Sequence, residues 1–262
     1  MTEAIITYYT DHYDEDARLD RRPQARLERT RTLELLAAHL PPPPATVLDV
    51  GGGTGFYARV LTTAGYAVRV LDLVPAHVEQ VRAGTPAVPA EVGDARALRF
   101  RDASYDATLL LGPLYHLHDR ADRVAALREA ARVTRPGGPV LAAAISRFAA
   151  PLDLGATSRL DARALTEAES LLTDGRNDPA VGFTHAYFHR PEELRAECEA
   201  AGLTGAVLHG LEGPLWTAAE AAAAGPNAEP VYTAALDLAR LFSTEPSLTA
   251  ASGHILAATI RP

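Results

Sequence analysis

Short apolar runs and amphipathic stretches alternate through the first half of the chain, and this rhythm predicts alternating strands and helices. The predicted strands cover Thr46–Val50, Ala67–Leu71, Val88–Val92, Tyr105–Leu111 and Val140–Ile145. The stretches between them predict helices over Phe56–Ala64, Pro75–Arg82 and Asp122–Thr134. Because repeated strand–helix units build a parallel sheet with helices on both faces, residues 45–146 are predicted to form such a core.

The segments that flank this core show other patterns. Residues 1–44 lack a strand pattern and have helical spacing over Ala25–Leu40, so they predict a helical segment that covers the site. Residues 147–190 are too long for an ordinary connection and predict a lid or substrate-capping insertion. Residues 191–262 are predicted to complete the sheet. Their predicted elements are helices over Pro191–Ala201, Ala218–Ala224 and Val231–Phe242 and strands over Thr204–His209 and His254–Ile260.

Composition excludes several classes of protein. Hydrophobic residues make up 47% of the 262 residues, so a sizeable core can form. All 25 basic residues are Arg, which excludes a Walker loop and a pyridoxal-phosphate Schiff base because both need Lys. Cys198 is the single cysteine, so an internal disulfide cannot form. The net charge of −8 makes nucleic acid an unfavourable partner.

A glycine-rich loop after the first predicted strand is the strongest chemical signal. Gly51, Gly53 and Gly55 follow a G-x-G-x-G pattern, which differs from the G-x-G-x-x-G of dinucleotide folds. Asp49 precedes the loop, and its carboxylate would repel a pyrophosphate but tolerate a cationic ligand. Asp72 ends the second strand, where a carboxylate accepts hydrogen bonds from ribose hydroxyls. The pattern therefore predicts a ligand with a ribose and without a strongly anionic group.

Five motifs in this order resemble the class I S-adenosylmethionine-dependent methyltransferases. They are VLDVGGGTGFYA at 47–58, VLDLVP at 70–75, GDAR at 93–96, YDATLLLGPLYHL at 105–117 and RPGG at 135–138. The resemblance is strong over residues 45–146 and looser over the segment that contains FHRPEEL. It implies a Rossmann-like, doubly wound α/β fold with a seven-stranded sheet. That sheet would be mostly parallel, with an antiparallel last strand and helices on both faces.

The resemblance also implies S-adenosylmethionine as the cofactor and S-adenosylhomocysteine as its product. By that resemblance Asp49 would face the methionine part, Asp72 would bind the ribose hydroxyls, and Asp94 would meet the adenine amine. The other residues expected to bind the cofactor are Tyr13, Gly51, Gly53, Gly55, Leu73, Ala95 and Leu111.

Histidines are the expected acid–base groups. Methyl transfer needs alignment of the reactants, and it needs a general base only where the acceptor holds a proton at neutral pH. We predict His116, just after the fourth strand, and His189 as catalytic residues. A structural hydrogen bond for His116 and helix capping for His189 are the alternatives. Trp216 and Glu212 follow the sixth strand and are weaker pocket candidates.

The acceptor wall is predicted from residues near these histidines. Phe183, His185, Tyr187 and His189 alternate along the chain, so they would share one face of an extended segment. Tyr115, His185 and Tyr187 are accordingly predicted to bind the substrate. No metal site is expected, because Gly112-Pro113-Leu114 stand where a Mg²⁺-dependent catechol enzyme would carry carboxylates.

The predicted function is transfer of a methyl group to an O, N or C nucleophile of a small molecule, in secondary metabolism. Alternatives that use the same cofactor are aminocarboxypropyl transfer and cyclisation, and a third is a non-catalytic cofactor-binding module. A methyltransferase of RNA or protein is a lesser option. A cytoplasmic monomer or homodimer without nucleic-acid or membrane partners is expected, since neither a targeting segment nor a long apolar run is visible.

Overall fold

The computed structural model describes residues 2–11, 18–177 and 184–262. Its strands are β1 Thr46–Val50, β2 Ala67–Asp72, β3 Ala90–Val92, β4 Ala107–Leu110, β5 Pro139–Ile145, β6 Arg176–Asn177, β7 Ala186–Tyr187, β8 Val207–Gly210 and β9 His254–Ile260. Its helices are α1 Thr2–Asp11, α2 Pro23–His39, α3 Phe56–Thr63, α4 Pro75–Ala83, α5 Arg120–Val133, α6 Ala149–Ala156, α7 Ala162–Asp174, α8 Pro191–Ala200, α9 Trp216–Ala222, α10 Ala228–Leu241 and α11 Pro246–Thr249. Two 3₁₀ turns cover Arg18–Asp20 and Pro113–His116.

Seven strands form one sheet in the order β3-β2-β1-β4-β5-β9-β8. All neighbours pair in parallel except β9, which is antiparallel to both β5 and β8. The predicted seven-stranded, mostly parallel sheet with an antiparallel last strand is therefore confirmed. The strand order reverses between β1 and β4, and a reversal of this kind opens a crevice at the carboxyl ends of the strands.

Both faces of the sheet are covered by helices, which leaves β1 and β4 without solvent contact over most of their length. Leu48 and Val50 of β1 pack into one apolar cluster, and Val47 packs into the cluster on the opposite face. Burial on two sides explains why these strands are continuous apolar runs. Asp49 interrupts this pattern, because it is a charged residue with 1% exposure inside the strand.

The chain between β5 and α8 folds into two helices, α6 and α7, and the small antiparallel sheet of β6 and β7. α6 packs against α7 and also against α9, so this insertion is attached to the C-terminal part of the fold. Its movement as a lid stays a prediction. Within the described ranges, no helix is both long enough and apolar enough to cross a membrane.

A buried ion pair ties the insertion to the core. Arg123 of α5 and Glu197 of α8 are 3% and 1% exposed, and Arg123 Nη2 lies 2.7 Å from Glu197 Oε1. His189 Nε2 is 3.2 Å from Glu197 Oε2, and the Arg123 guanidinium lies 3.6 Å from the centre of the Tyr187 ring. These contacts fix the direction in which the segment after β7 points its side chains.

We predict that Glu197→Ala lowers the free energy of unfolding by about 3–5 kcal/mol, because Arg123 would be left charged and unpaired in the interior. Chemical denaturation of the purified variant measures this. Glu167→Ala is the matched control, since its partner Arg163 is 73% exposed and the pair lies on a helix surface. Similar losses in the two variants would contradict a special role of the buried pair.

Candidate active site

Three adjoining cavities lie at the carboxyl ends of β1, β2 and β4. The first, the Asp72 cavity, is lined by Asp72, Asp94, Tyr9 and His116 among others. The second, the Asp49 cavity, is lined by Asp49, Arg18, Glu28 and His254. The third, the Phe188 cavity, is lined by Phe188, Ile145, Trp216 and His254. Tyr115 lines all three, so it marks the point where they meet.

The glycine loop borders both of the first two cavities, and it has no space for a side chain at Gly51 or Gly52. Gly51 has φ +69°, and a Cβ atom there would lie 2.6 Å from Cγ of Pro113 in the turn after β4. At Gly52 a Cβ would lie 2.7 Å from Asp49 Oδ2. The loop backbone can therefore approach a ligand closely, which a larger residue would prevent.

Asp72 is held rigidly at the end of β2. Its Oδ2 accepts a hydrogen bond from the Gly53 amide at 2.9 Å, and its Oδ1 accepts one from the Val74 amide at 2.8 Å. His77 Nδ1 lies 3.2 Å from the same Oδ1. A carboxylate oxygen can accept more than one hydrogen bond, so Asp72 keeps acceptor capacity toward its cavity. This arrangement suits the two neighbouring hydroxyls of a ribose.

Asp49 differs from Asp72 in its hydrogen bonding. Among the described residues neither of its carboxylate oxygens has a hydrogen-bond donor, although the side chain is completely buried. Burial, and next the charge of Asp72, raise the pKa of Asp49 to about 7. A buried carboxylate without a partner is costly unless a cation approaches it. The Asp49 cavity is therefore suited to a cationic group of a ligand.

Asp94 and Ala95, both predicted to bind the cofactor, line the Asp72 cavity, and the Asp94 carboxylate already has a partner. Arg96 Nη2 lies 2.6 Å from Asp94 Oδ2, and Arg96 also reaches Asp122. Hydrogen bonds from Arg96 lower the pKa of Asp94. A ligand amine at Asp94 would therefore share this carboxylate with Arg96.

Helix α1 covers the Asp72 cavity through Ile5 and Tyr9, which lie one helical turn apart. The Tyr9 hydroxyl is 2.9 Å from His116 Nε2, and the Tyr9 ring packs edge-on against His77. Tyr13, the predicted cover residue, lies outside the described residues. Sequence reasoning missed Tyr9, although its spacing from Ile5 on one face of a helix was an available signal.

His116 lines the Asp72 cavity beside this cover. Burial is the main cause that lowers its pKa to about 4, so the ring is neutral at pH 7. A neutral histidine bonded to Tyr9 orders the cover over the cavity and is a weak base. The structural alternative considered for His116 thus has direct support in the Tyr9 contact.

The other predicted cofactor residues divide into three groups. Gly51 and Gly53 line both the Asp72 and the Asp49 cavity, and Leu73 lines the former. Leu111 lines the Asp49 cavity. Gly55 lines none of the three cavities. It starts α3 with φ +86° and packs against Val81, which gives it a structural role.

Three predicted residues, His185, Tyr187 and His189, line none of these cavities, which corrects the sequence-based interpretation. Tyr187 and His189 share a face, as their alternation indicates, but their rings contact each other and the Arg123–Glu197 pair. His185 points toward His118, with ring centres 5.8 Å apart. The opposite face of the segment, with Ala186 and Phe188, packs toward Tyr115, and Phe188 lines the third cavity. Phe183 lies outside the described residues.

The register of the segment around β7 explains why Phe188, and not Tyr187 or His189, faces a cavity. His189 bridges to Ser146 at the end of β5, and its amide donates to the Ile145 carbonyl at 2.7 Å. Because side chains alternate along an extended chain, this bridge together with the buried ion pair decides which face meets the cavity. His189 is therefore not retained as a catalytic candidate.

His254 and Glu212 are functional candidates that sequence reasoning ranked low or missed. His254 begins β9 and lines both the Asp49 and the Phe188 cavity. Glu212 follows β8 and is fully buried behind it. Glu28, Glu212 and His254 are a group of three possible metal donors within the described part of the chain. Arg18 binds both oxygens of Glu28, and Gln24 and Ser252 donate to Glu212, so the group forms a hydrogen-bonded ion-pair cluster.

The fold and the site together define a Rossmann-like domain whose Asp72 cavity suits a nucleoside. Comparison with known proteins agrees, since residues 47–138 match the family model described as a methyltransferase domain. The chain is 37% identical over 121 residues to the malonyl-[acyl-carrier protein] O-methyltransferase of Methylococcus capsulatus, which covers 44% of this chain and 43% of that protein. It is 36% identical over 121 residues to the demethylmenaquinone methyltransferase of Beutenbergia cavernae, covering 46% of this chain and 48% of that protein.

The fold extends beyond the matched segment. An S-adenosylmethionine-dependent methyltransferase of Thermotoga maritima, described as a possible histamine N-methyltransferase, superposes over 100% of both chains with a TM-score of 0.60 and 16% identity. The family-model match covers residues 47–138 of the 262, so this segment is the part of the chain that is similar to methyltransferase domains. The matches to these two curated relatives span less than half of the relatives' own length.

The unpartnered Asp49 predicts how stability depends on pH. Its pKa is about 7 in the folded protein and 3.8 for an ordinary aspartate, so folding favours the protonated form. The Asp49 contribution to stability is therefore complete below about pH 4 and is lost as the pH rises through 7. We predict that Asp49→Asn raises the free energy of unfolding of the ligand-free protein at pH 8 by about 1–3 kcal/mol and has a smaller effect at pH 5.

Urea unfolding at both pH values measures this difference. Asp237→Asn serves as the control, since Asp237 is exposed on α10 and pairs with Arg240 on the surface. A stabilisation that is equal at pH 5 and pH 8 would contradict a raised pKa of Asp49.

Proposed function

We propose that this protein binds S-adenosylmethionine and transfers its methyl group to a small molecule. The observation that carries the proposal is the pair of unequal carboxylates on either side of the glycine loop. Asp72 is held by hydrogen bonds and faces the first cavity, whereas Asp49 is buried and has no donor within the part of the chain that the structure describes. A ligand with a ribose diol and an ammonium group satisfies both, and S-adenosylmethionine carries these two groups on either side of its sulfonium centre.

The residues fit the parts of this cofactor as follows. Asp72 accepts hydrogen bonds from the ribose, and Asp49 faces the ammonium group of the methionine part. The backbone at Gly51 and Gly53 passes beside the part of the cofactor that connects its ribose to its ammonium group. Ala95 borders the adenine. The bound cofactor supplies a methyl group on a positively charged sulfur. Tyr9 and Ile5 exclude water from this region by covering it.

The acceptor is proposed to bind in the Phe188 cavity. This cavity has a volume of about 420 Å³, which suits a small molecule. Ala149 and Ala150 of α6 form part of its wall, which supports a substrate-capping role of the insertion. Because it shares Tyr9, Tyr115 and His254 with the other two cavities, an acceptor here would reach the point where they meet.

The biological setting is proposed from the same observations. The net charge of −8 supports a small-molecule acceptor over nucleic acid. We propose a cytoplasmic monomer or homodimer that acts in secondary metabolism. The relatives are named for different acceptors, so the acceptor of this chain is proposed from its own cavity.

We predict that Asp72→Ala weakens binding of S-adenosylhomocysteine by at least about 3 kcal/mol, roughly 100-fold, because two hydrogen bonds to a charged acceptor are lost. Isothermal titration calorimetry measures the affinity, and circular dichroism verifies the fold. Asp237→Ala is the control on an exposed surface. Unchanged affinity in Asp72→Ala would remove Asp72 from the site.

Absence of any binding by the wild-type protein would refute the proposed function. The mass of the products from S-adenosylmethionine separates the possible reactions. Gain of one methyl by an acceptor supports methyl transfer, whereas release of methylthioadenosine indicates aminocarboxypropyl transfer.

A further inference from the structure

His254 and Glu212 form a hydrogen-bonded pair at the boundary of two cavities. His254 Nδ1 lies 2.6 Å from Glu212 Oε1, and the histidine side chain is 16% exposed while Glu212 is fully buried. His254 lines the Asp49 cavity on one side and the Phe188 cavity on the other. Among the described histidines that line a cavity, His254 alone borders both.

Hydrogen bonds fix the Glu212 carboxylate in place, and the fixed carboxylate determines which ring nitrogen of His254 carries the proton. Its Oε2 accepts hydrogen bonds from the Ser252 hydroxyl at 2.7 Å and from the His254 amide at 2.8 Å. Its Oε1 accepts one from Gln24 Nε2 at 2.9 Å in addition to His254 Nδ1. A carboxylate only accepts hydrogen bonds, so Nδ1 carries the proton of the neutral ring. Nε2, on the opposite edge of the ring, then holds the lone pair.

We propose that His254 Nε2 is the general base of this protein, that Glu212 positions it, and that the acceptor is a small molecule with a hydroxyl group on an apolar or aromatic body. This inference rests on the proposed methyl transfer. It follows from the position of His254 between the cavity assigned to the methionine part and the cavity assigned to the acceptor. The aromatic wall of Tyr9, Tyr115 and Phe188 accounts for the apolar body.

The charges that face His254 agree with this role. Burial lowers the pKa of His254, but the carboxylates of Glu28 and Glu212 outweigh burial and raise it above 6.5, with Arg18 acting in the opposite direction. Glu28 Oε2 lies 3.8 Å from Nδ1, and Gln24 is the further polar neighbour from α2. These carboxylates stabilise the imidazolium that forms when the ring accepts a proton. At His116 burial outweighs the charge of Asp72 and lowers the pKa to about 4.

The proton and electron balance of the step is simple. His254 Nε2 accepts the hydroxyl proton while the acceptor oxygen uses a lone pair to form the new bond to the methyl carbon. The electron pair of the broken carbon–sulfur bond stays on sulfur, which becomes neutral. The positive charge is then on the imidazolium, which returns its proton to solvent through the Phe188 cavity. Acceptors that react through a carbon or a neutral amine would not need this base.

The first test is a nuclear magnetic resonance titration of the histidines in the ligand-free protein. We expect His254 in the Nδ1-protonated tautomer, with a pKa above 6.5 that falls in Glu212→Gln because one of two carboxylates is lost. His39→Gln, which lies on α2 outside these cavities, is expected to leave the His254 titration unchanged. If the His254 ring is protonated at Nε2, or if its pKa does not change in Glu212→Gln, Glu212 does not position His254 and the proposal is wrong.

The second test follows S-adenosylhomocysteine release with a panel of phenols, alcohols and amines. We expect methyl ethers as products and a loss of about 100-fold or more in kcat for His254→Gln, with the KM for S-adenosylmethionine retained. The acid limb of the wild-type pH profile should follow the pKa of His254 and move to lower pH in Glu212→Gln. His39→Gln should keep wild-type kcat.

Three results would overturn the assignment while leaving the proposed cofactor intact. In the first, the protein binds S-adenosylhomocysteine but methylates no hydroxyl acceptor. In the second, the kcat of His254→Gln stays within about threefold of wild type. In the third, a chelator abolishes activity and a divalent cation restores it. Failure of the wild-type protein to bind S-adenosylhomocysteine would instead contradict the proposed function.

Discussion

The buried carboxylate of Asp49 is the constraint on which the rest of the site depends. β1 lies between β2 and β4, and Val47, Leu48 and Val50 pack on both faces of the sheet. The strand cannot shift to expose Asp49 without losing this packing. Gly52 fits directly over the carboxylate, and Gly51 brings the turn after β4 close to the loop. Among the described residues no donor reaches the Asp49 oxygens, so the cavity beside Asp49 leaves room for a cationic group of a ligand.

The fold and the core of the site could be predicted from sequence because their signals are local. An apolar run followed by glycines marks the end of β1, and Asp72 ends the next apolar run. Since the carboxyl ends of neighbouring parallel strands meet at one edge, the two carboxylates had to lie close together. The parallel pairing of β1 with β2 and the position of Asp72 and Asp49 beside the glycine loop follow from these two patterns.

The acceptor side could not be predicted, because it depends on contacts between residues far apart in sequence. Alternation correctly grouped Tyr187 with His189, but the Arg123–Glu197 pair and the bridge to Ser146 turn that face away from the cavity. In the sequence, His254 is a polar residue at the start of a strand with no local sign of a function. Its partner Glu212 lies 42 residues earlier, and only the fold brings the two together. Tyr9 becomes part of the site only because α1 packs over His116.

The proton balance of binding tests the central claim about Asp49 most directly. Calorimetric titration of S-adenosylhomocysteine into the protein at pH 7, in buffers with different ionisation enthalpies, gives the number of protons released. Because a group with a pKa of about 7 is half protonated at this pH, wild type should release about half a proton more than Asp49→Asn. Equal proton release by the two proteins would contradict the claim that a cationic ligand displaces the proton that Asp49 partly retains at pH 7.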